Sequence, residues 1–181
     1  MSGTVITKTI YDSGNYQTHG ELPAVGSRAP DIMLVNTRLQ NVSFANWMGM
    51  RKIMNIVVSI DTSICAKSVI EFNRYGEGKK DIALLTVSYD LPFAHARFQE
   101  EHDLTNVIGL SAIRHAGFGE NYGVQIIEGP LAGMFSRAVV VIDENNTIVH
   151  REHIQDIGRE PDYVAAFRAL GVDVEATEDE E

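Results

Sequence analysis

The chain carries one cysteine, Cys65, among its 181 residues, and that scarcity excludes an intrachain disulfide and any zinc site built from several thiolates. Long apolar runs are missing as well. None approaches the ~18 residues of a membrane span, so no membrane partner is expected. The opening Met1-Ser2-Gly3-Thr4 lacks the basic-then-apolar order of a secretory leader, which makes the cytoplasm the expected compartment. Basic charge is also sparse, with 15 Lys and Arg against 25 Asp and Glu and a net charge of −10. No basic stripe follows from so few cations, and nucleic acid is not expected as a partner. The six histidines (His19, His95, His102, His115, His150 and His153) form no H-E-x-x-H motif, and Gly117, Phe118, Gly119 and Gly123 miss the G-x-G-x-x-G spacing. Neither a metal nor a cofactor is expected.

What remains has the length and the 44% apolar composition of one globular domain. Six of the acids (Asp173, Glu175, Glu178, Asp179, Glu180 and Glu181) fall in the last nine residues, so the preceding body carries only about −4. Residues 173–181 therefore read as an acidic, solvated and disordered tail on a domain spanning 1–172.

Along the chain, residues 4–10 are rich in β-branched side chains, and Asp12-Ser13-Gly14-Asn15 supplies turn chemistry before a return at 16–19, an N-terminal β-hairpin. A short strand is expected at 32–35 and a strand or turn near 42–44. Residues 53–60, Ile-Met-Asn-Ile-Val-Val-Ser-Ile, form the nearly continuous apolar run of a strand buried on both faces. Asp61-Thr62-Ser63 follow with capping chemistry, and Cys65, Val69 and Phe72 recur at helical spacing to about residue 73. Further strands are expected at 82–88 and 106–110, and helices at 92–102, where Pro92 suits a first turn, and at 113–122. Residues 137–142 and 147–150 flank the turn Asp143-Glu144-Asn145-Asn146 as a hairpin. A last helix at 161–170 stops at Gly171. Strands alternating with helices, then a late hairpin, predict an α/β fold with a mixed sheet flanked by helices.

A thiol in the first turn of a helix lies near unsatisfied backbone N–H groups and the positive end of the macrodipole, a setting for a nucleophile. Spacing alone favours the other reading. Free cysteines are among the most buried residue types, and Cys65 shares its helical face with Val69 and Phe72, as an inert packed residue would.

The segment Ser59-Ile60-Asp61-Thr62-Ser63-Ile64-Cys65-Ala66-Lys67-Ser68-Val69-Ile70-Glu71-Phe72-Asn73 resembles the active-site segment of the thiol peroxidases, a bacterial subfamily of the peroxiredoxins. Similarities continue in order through Ala29-Pro30-Asp31, Ser88-Tyr89-Asp90-Leu91-Pro92-Phe93-Ala94, Arg97-Phe98, Tyr122-Gly123-Val124, residues 129–133, residues 137–141 and Glu160-Pro161-Asp162-Tyr163. The resemblance reverses the balance at Cys65 and implies a thioredoxin-like fold for residues 1–172. It makes Cys65 the peroxidatic nucleophile, Thr62 the hydroxyl that orients peroxide and Arg137 the cation beside the sulfur. The bland roles are an N-cap for Thr62, compatible with the first, and for Arg137 a surface strand residue paired with an acid.

This chain departs from the pattern twice. Val58 stands where the common peroxiredoxin motif has proline, and Gln99 follows Arg97-Phe98 where many thiol peroxidases carry a resolving cysteine. The expected reaction is therefore reduction of hydrogen peroxide or an alkyl hydroperoxide by Cys65, which becomes a sulfenic acid. An external thiol, a thioredoxin-like protein or a small molecule, would then reduce it. The family also implies a homodimer. The alternative is a peroxide sensor or redox-responsive binding protein without efficient turnover; a third reading is an unreactive thioredoxin-like scaffold.

Overall fold

A computed structural model describes residues 6–11, 14–156 and 158–176. The hairpin expected at the N-terminus is present as β1 (Ile6–Tyr11) and β2 (Gly14–His19), which pair antiparallel; a two-residue strand, β8 (Gln125–Ile126), extends β2 into a small separate sheet. Residues 12 and 13 of the expected turn, and residues 177–181 of the acidic tail, lie outside the described residues.

The larger sheet has seven strands among the described residues: β3 (Leu34–Asn36), β4 (Asn41–Val42), β5 (Arg51–Ile56), β6 (Ile82–Ser88), β7 (Val107–Ser111), β9 (Ala138–Ile142) and β10 (Ile148–His153), in the order β10-β9-β5-β6-β7-β3-β4. Strands β5, β6 and β7 run parallel, whereas β9 is antiparallel to β5 and β3 antiparallel to β7, so the sheet is mixed as predicted. The helices are α1 (Ser63–Tyr75), α2 (Pro92–Glu101), α3 (Phe118–Asn121) and α4 (Tyr163–Arg168). None is long and apolar enough to cross a membrane.

The period-2 alternation of strands sorts the apolar side chains into two layers. Ile53, Val57, Leu84, Val107, Val139 and Val141 cluster with Val69 and Phe72 of α1, Phe98 of α2 and Phe167 of α4. Met54, Ile56, Leu85, Val87, Val140 and Ile142 cluster instead with Phe118 of α3, Tyr122 at its C-cap and Phe135. Both faces are thus covered, which is why the central strands read as continuous apolar runs. Lys52 is a charged exception within β5: it is fully buried, its amine donating to the Met50 carbonyl (2.7 Å) and to Asn146 Oδ1 (2.8 Å).

Several boundaries differ from the sequence reading, each for a local reason. Strand β5 stops at Ile56 rather than at residue 60 because the backbone beyond it turns to meet Asp90. The helix expected at 113–122 shrinks to α3, as Ala112 and His115 close a separate turn and Gly123, at φ +65°, ends it. The last helix begins at Tyr163 because Asp162 caps it, accepting from the Ala165 N–H at 2.8 Å. The strand or turn expected near 42–44 is both, β4 ending at Val42 and the 3-10 turn Phe44–Trp47, closed by Ser43 and Asn46 in a capping box; the short strand β8 was not anticipated.

Candidate active site

In an open α/β sheet the carboxyl ends of parallel strands are where ligands collect. Here the ends of β5 and β6 release the 57–62 turn and the 89–91 connection side by side. Strand β9 points the other way, so its first residues come to the same end: Ala138 pairs with Ile56, and Arg137 precedes it where β5 gives way to the turn. By alternation Arg137 shares its face with Val139 and Val141, the face that α1 and α4 cover. Topology therefore brings Thr62, Cys65 and Arg137 to one end of the sheet.

Thr62 occupies the N-cap of α1 in an extended conformation, and its carbonyl accepts the first helical bond from Ala66 (2.9 Å). Its hydroxyl makes no cap hydrogen bond. It donates backward to the Ser59 carbonyl at 3.1 Å, so the side chain is not a plain N-cap. Cys65 sits three residues on, in the first turn, where backbone N–H groups have no helical acceptor. Its residue has no exposed surface at all. Cys65 belongs to the same buried apolar cluster as Val58, Ile60, Val69 and Val139, so the residue lies at a helix start and in the core at once. Beneath it Asn55 Nδ2 donates to Ser68 Oγ (3.2 Å), which donates to the Cys65 carbonyl (2.8 Å) and fixes the backbone of that turn to the sheet.

The surface role considered for Arg137 is overturned: the side chain is wholly buried. Its Nη1 donates to the carbonyl of Arg159, which lies in the strap leading to α4. Next to that carbonyl, the carboxylate of Glu160 receives Lys67 Nζ at 2.6 Å and the Tyr163 hydroxyl at 2.7 Å. Burial pushes the Glu160 carboxyl upward, but the hydrogen bonds from Lys67 and Tyr163 and the charges of Lys67 and Arg137 outweigh it and hold the group below its usual range. Burial first, and then the bond to Glu160, raise the Tyr163 phenol above its ordinary value. A cation on α1 two residues beyond Cys65 and the buried guanidinium thus share one acidic neighbour.

On the other side, Asp90 holds the turn. Its Oδ2 accepts from the Ile60 N–H (2.8 Å) and the Ser88 hydroxyl (2.7 Å), and its Oδ1 from the Ser59 hydroxyl (2.8 Å). Ser88 Oγ, donating to Asp90, accepts from His95 Nε2 at 3.0 Å; these roles assign the Nε2–H tautomer. Burial pushes His95 down to about 4, against the pull of the Asp90 charge, so it is neutral near pH 7. Gly109 makes room for the ring: a Cβ there would lie 2.8 Å from His95 Cβ and Nδ1.

Neither Asp90 nor Glu160 was singled out from the sequence, although both lie in segments that carried the resemblance. An acid two residues past a buried strand and one just before a prolyl helix start were the only signals. His95 passed as one histidine among six. Gln99 donates its amide to the Val107 carbonyl at 2.8 Å, tying α2 to β7 at the position where a resolving thiol would stand. Among the described residues no three of His, Cys, Asp and Glu converge as a metal site would need.

Fold and site together define a thiol-based redox protein on a mixed, helix-flanked sheet. Residues 24–167 match the Redoxin family. A thiol peroxidase of Corynebacterium glutamicum is 39% identical over 165 residues, covering 91% of this chain and 99% of that one. Among solved structures, a peroxiredoxin-like protein from Aquifex aeolicus superposes with a TM-score of 0.85 at 29% identity, over 92% of this chain and 98% of the other. A thiol peroxidase from Chromobacterium violaceum gives 0.85 at 25% identity, over 91% and 95%. The chain belongs to the redoxin family, with the thioredoxin-like peroxiredoxin fold. Within it the chain falls in the thiol peroxidase subfamily, without a resolving cysteine, and is an enzyme of thiol-dependent peroxide reduction.

Proposed function

We propose that the chain reduces hydrogen peroxide or alkyl hydroperoxides in a one-cysteine cycle run by Cys65, Thr62 and Arg137. The Cys65 thiolate attacks the terminal oxygen of the hydroperoxide; the O–O bond breaks, and the departing oxygen takes a proton to leave as water or alcohol. Sulfur is oxidised by two electrons to the sulfenic acid. The Thr62 hydroxyl orients the peroxide, and the Arg137 guanidinium stabilises negative charge on sulfur and on the departing oxygen. An external thiol then attacks the sulfenic sulfur and releases water, leaving a mixed disulfide. A second thiol reduces that disulfide and restores Cys65.

The observation that carries this reading is the convergence of the only cysteine, in the first turn of α1, with a buried arginine on the same face and at the same end of the sheet. Its support for the one-cysteine cycle is Gln99, an amide that cannot form a disulfide and is engaged in tying α2 to β7. Because Cys65 has no exposed surface, a neighbouring side chain must move before peroxide reaches it. We place the enzyme in the cytoplasm, with a small thiol or thioredoxin-like protein as reductant. A homodimer is part of the same reading: Leu91, Phe93 and Ile113 are exposed apolar side chains following the adjacent carboxyl ends of β6 and β7.

The test is catalytic peroxide consumption with dithiothreitol or thioredoxin, coupled to trapping of the Cys65 sulfenic acid after one equivalent of peroxide. Repeated turnover lost in C65S supports the proposal. A stable disulfide between two copies as the main resting product overturns the one-cysteine cycle, and oxidation without turnover indicates a sensor.

A further inference from the structure

The turn that leads into α1 is held by a group none of the proposed chemistry uses. Asp90 lies on the β6–α2 connection, yet two of the three donors it accepts, the Ser59 hydroxyl and the Ile60 N–H, belong to the β5–α1 turn; the third is Ser88, the last residue of β6. Hydrogen bonds to a carboxylate are charge-assisted and about twice as strong as neutral ones. The turn they hold feeds directly into the site. The Ser59 carbonyl accepts both the Thr62 hydroxyl (3.1 Å) and the Thr62 N–H (3.2 Å), and Ser59 Oγ accepts the Asp61 N–H (3.1 Å).

Asp90 is itself held from behind. Ser88 Oγ accepts from the Asp90 N–H at 3.1 Å and from the neutral His95, whose ring packs on the bare backbone of Gly109 with no space for a methyl group. A continuous run of contacts therefore links β7 to the N-cap of α1: Gly109, His95, Ser88, Asp90, Ser59, Thr62. Every side chain between the ends donates or accepts along it. By contrast the Arg97–Asp61 pair, which also joins α2 to this turn, is exposed on both sides at 3.1 Å and adds little.

We infer that Asp90 is a positioning residue for the Cys65 reaction, its carboxylate fixing the 59–62 turn so that the Thr62 hydroxyl stays in register with the sulfur. This rests on the proposed role of Cys65 as the peroxide nucleophile. Asp90 acts through Ser59 and Thr62 and touches no reacting atom. Losing the acceptor strands the Ile60 N–H and releases the turn, and a displacement of about 1 Å at a reacting geometry costs up to about a hundredfold in rate.

The experiment compares two reactions of the same sulfur in the full chain: oxidation by hydrogen peroxide, which needs Thr62 and Arg137 aligned, and alkylation by iodoacetamide, which needs only an accessible thiolate. A purely structural loosening moves both rates together. In D90A the ratio of peroxide rate to alkylation rate is expected to fall at least about tenfold. In D90N it stays within about threefold of wild type, because the amide oxygen still accepts from Ile60 while its NH2 group can donate to Ser59 Oγ. If D90A does not fold, the S59A/S88A double variant, which removes two of the three donors, carries the test, with the ratio expected to fall about threefold or more. An unchanged ratio in the folded variant overturns the positioning role while leaving the nucleophile in place. A wild-type chain whose Cys65 resists peroxide overturns the proposed function, and the positioning role with it.

Discussion

Replacing Arg137 with methionine separates the two things a buried guanidinium can do here, hold the strap before α4 and stabilise charge at Cys65. The charge-assisted bond from Nη1 to the Arg159 carbonyl disappears, a contribution of about 1.5–3 kcal/mol. Methionine refills most of the stem volume, and Glu160 keeps Lys67 and Tyr163, so no carboxylate is left alone. A net cost of about 2 kcal/mol lowers the melting temperature of a chain this size by about 4–8 °C, leaving R137M folded at room temperature. The chemical loss is larger: removing a preorganised donor from developing charge costs about 10²–10³ in rate. R137K should fall between, because one ammonium keeps the charge but cannot reproduce the planar fork of guanidinium donors. Rapid mixing with excess hydrogen peroxide, read by sulfenic acid trapping, gives the rate, and a thermal melt of the same sample gives the stability. R137M oxidised within about threefold of wild type, yet melting lower, would show that the arginine serves the strap alone.

Three further outcomes follow from the same geometry. With His95 near 4 in the folded chain and 6.5 as its ordinary value, the unfolded state takes up a proton first as pH falls, so stability is level above about 6.5 and declines by up to about 3 kcal/mol toward pH 4. H95Q, which keeps a donor for Ser88, should flatten that decline in urea melts; His153, also lowered by burial and by Arg151, slopes the same way, so the wild-type minus variant difference is read, and no difference refutes the assignment. G109A overpacks His95, with contacts of 2.8 Å, and should cost about 1–3 kcal/mol, a loss that shrinks in an H95A background where the ring is gone; equal losses in both backgrounds contradict the close approach. Excess peroxide without thiol should carry Cys65 past the sulfenic acid to a sulfinic acid that thiols do not reverse, seen as two added oxygens in the intact mass.

Periodicity made the central sheet legible. Strand β6 was placed to the residue, and the α1 start was marked by capping chemistry, because strands buried on both faces leave an unbroken apolar signature. The alternation that places Arg137 on the α1 face lies in the same pattern, although its burial does not: a guanidinium preceding a strand reads as surface until the strap before α4 is seen to cover it. Asp90 and Glu160 were hidden for a different reason. Each works across elements, Asp90 between β6 and the β5–α1 turn and Glu160 between α4 and α1, and local spacing carries no trace of a partner tens of residues away. Short elements such as β8 and the 3-10 turn owe their form to tertiary contacts and caps rather than to any period, and α3 shows the converse, a long expectation cut down by glycines.

The two departures from the thiol peroxidase pattern act on different parts of the site. Val58 joins the apolar cluster that also holds Cys65, adding a core side chain where the pattern has a ring. Gln99 does more than remove a thiol. The Gln99 amide, bonded to the Val107 carbonyl, together with His95 seated on Gly109, fastens α2 to β7. In the proposed cycle nothing on α2 has to reach Cys65, since the second sulfur arrives from outside. The movement required is then a local one, enough to uncover Cys65, and the Asp90 clamp can persist through catalysis instead of breaking in every turnover.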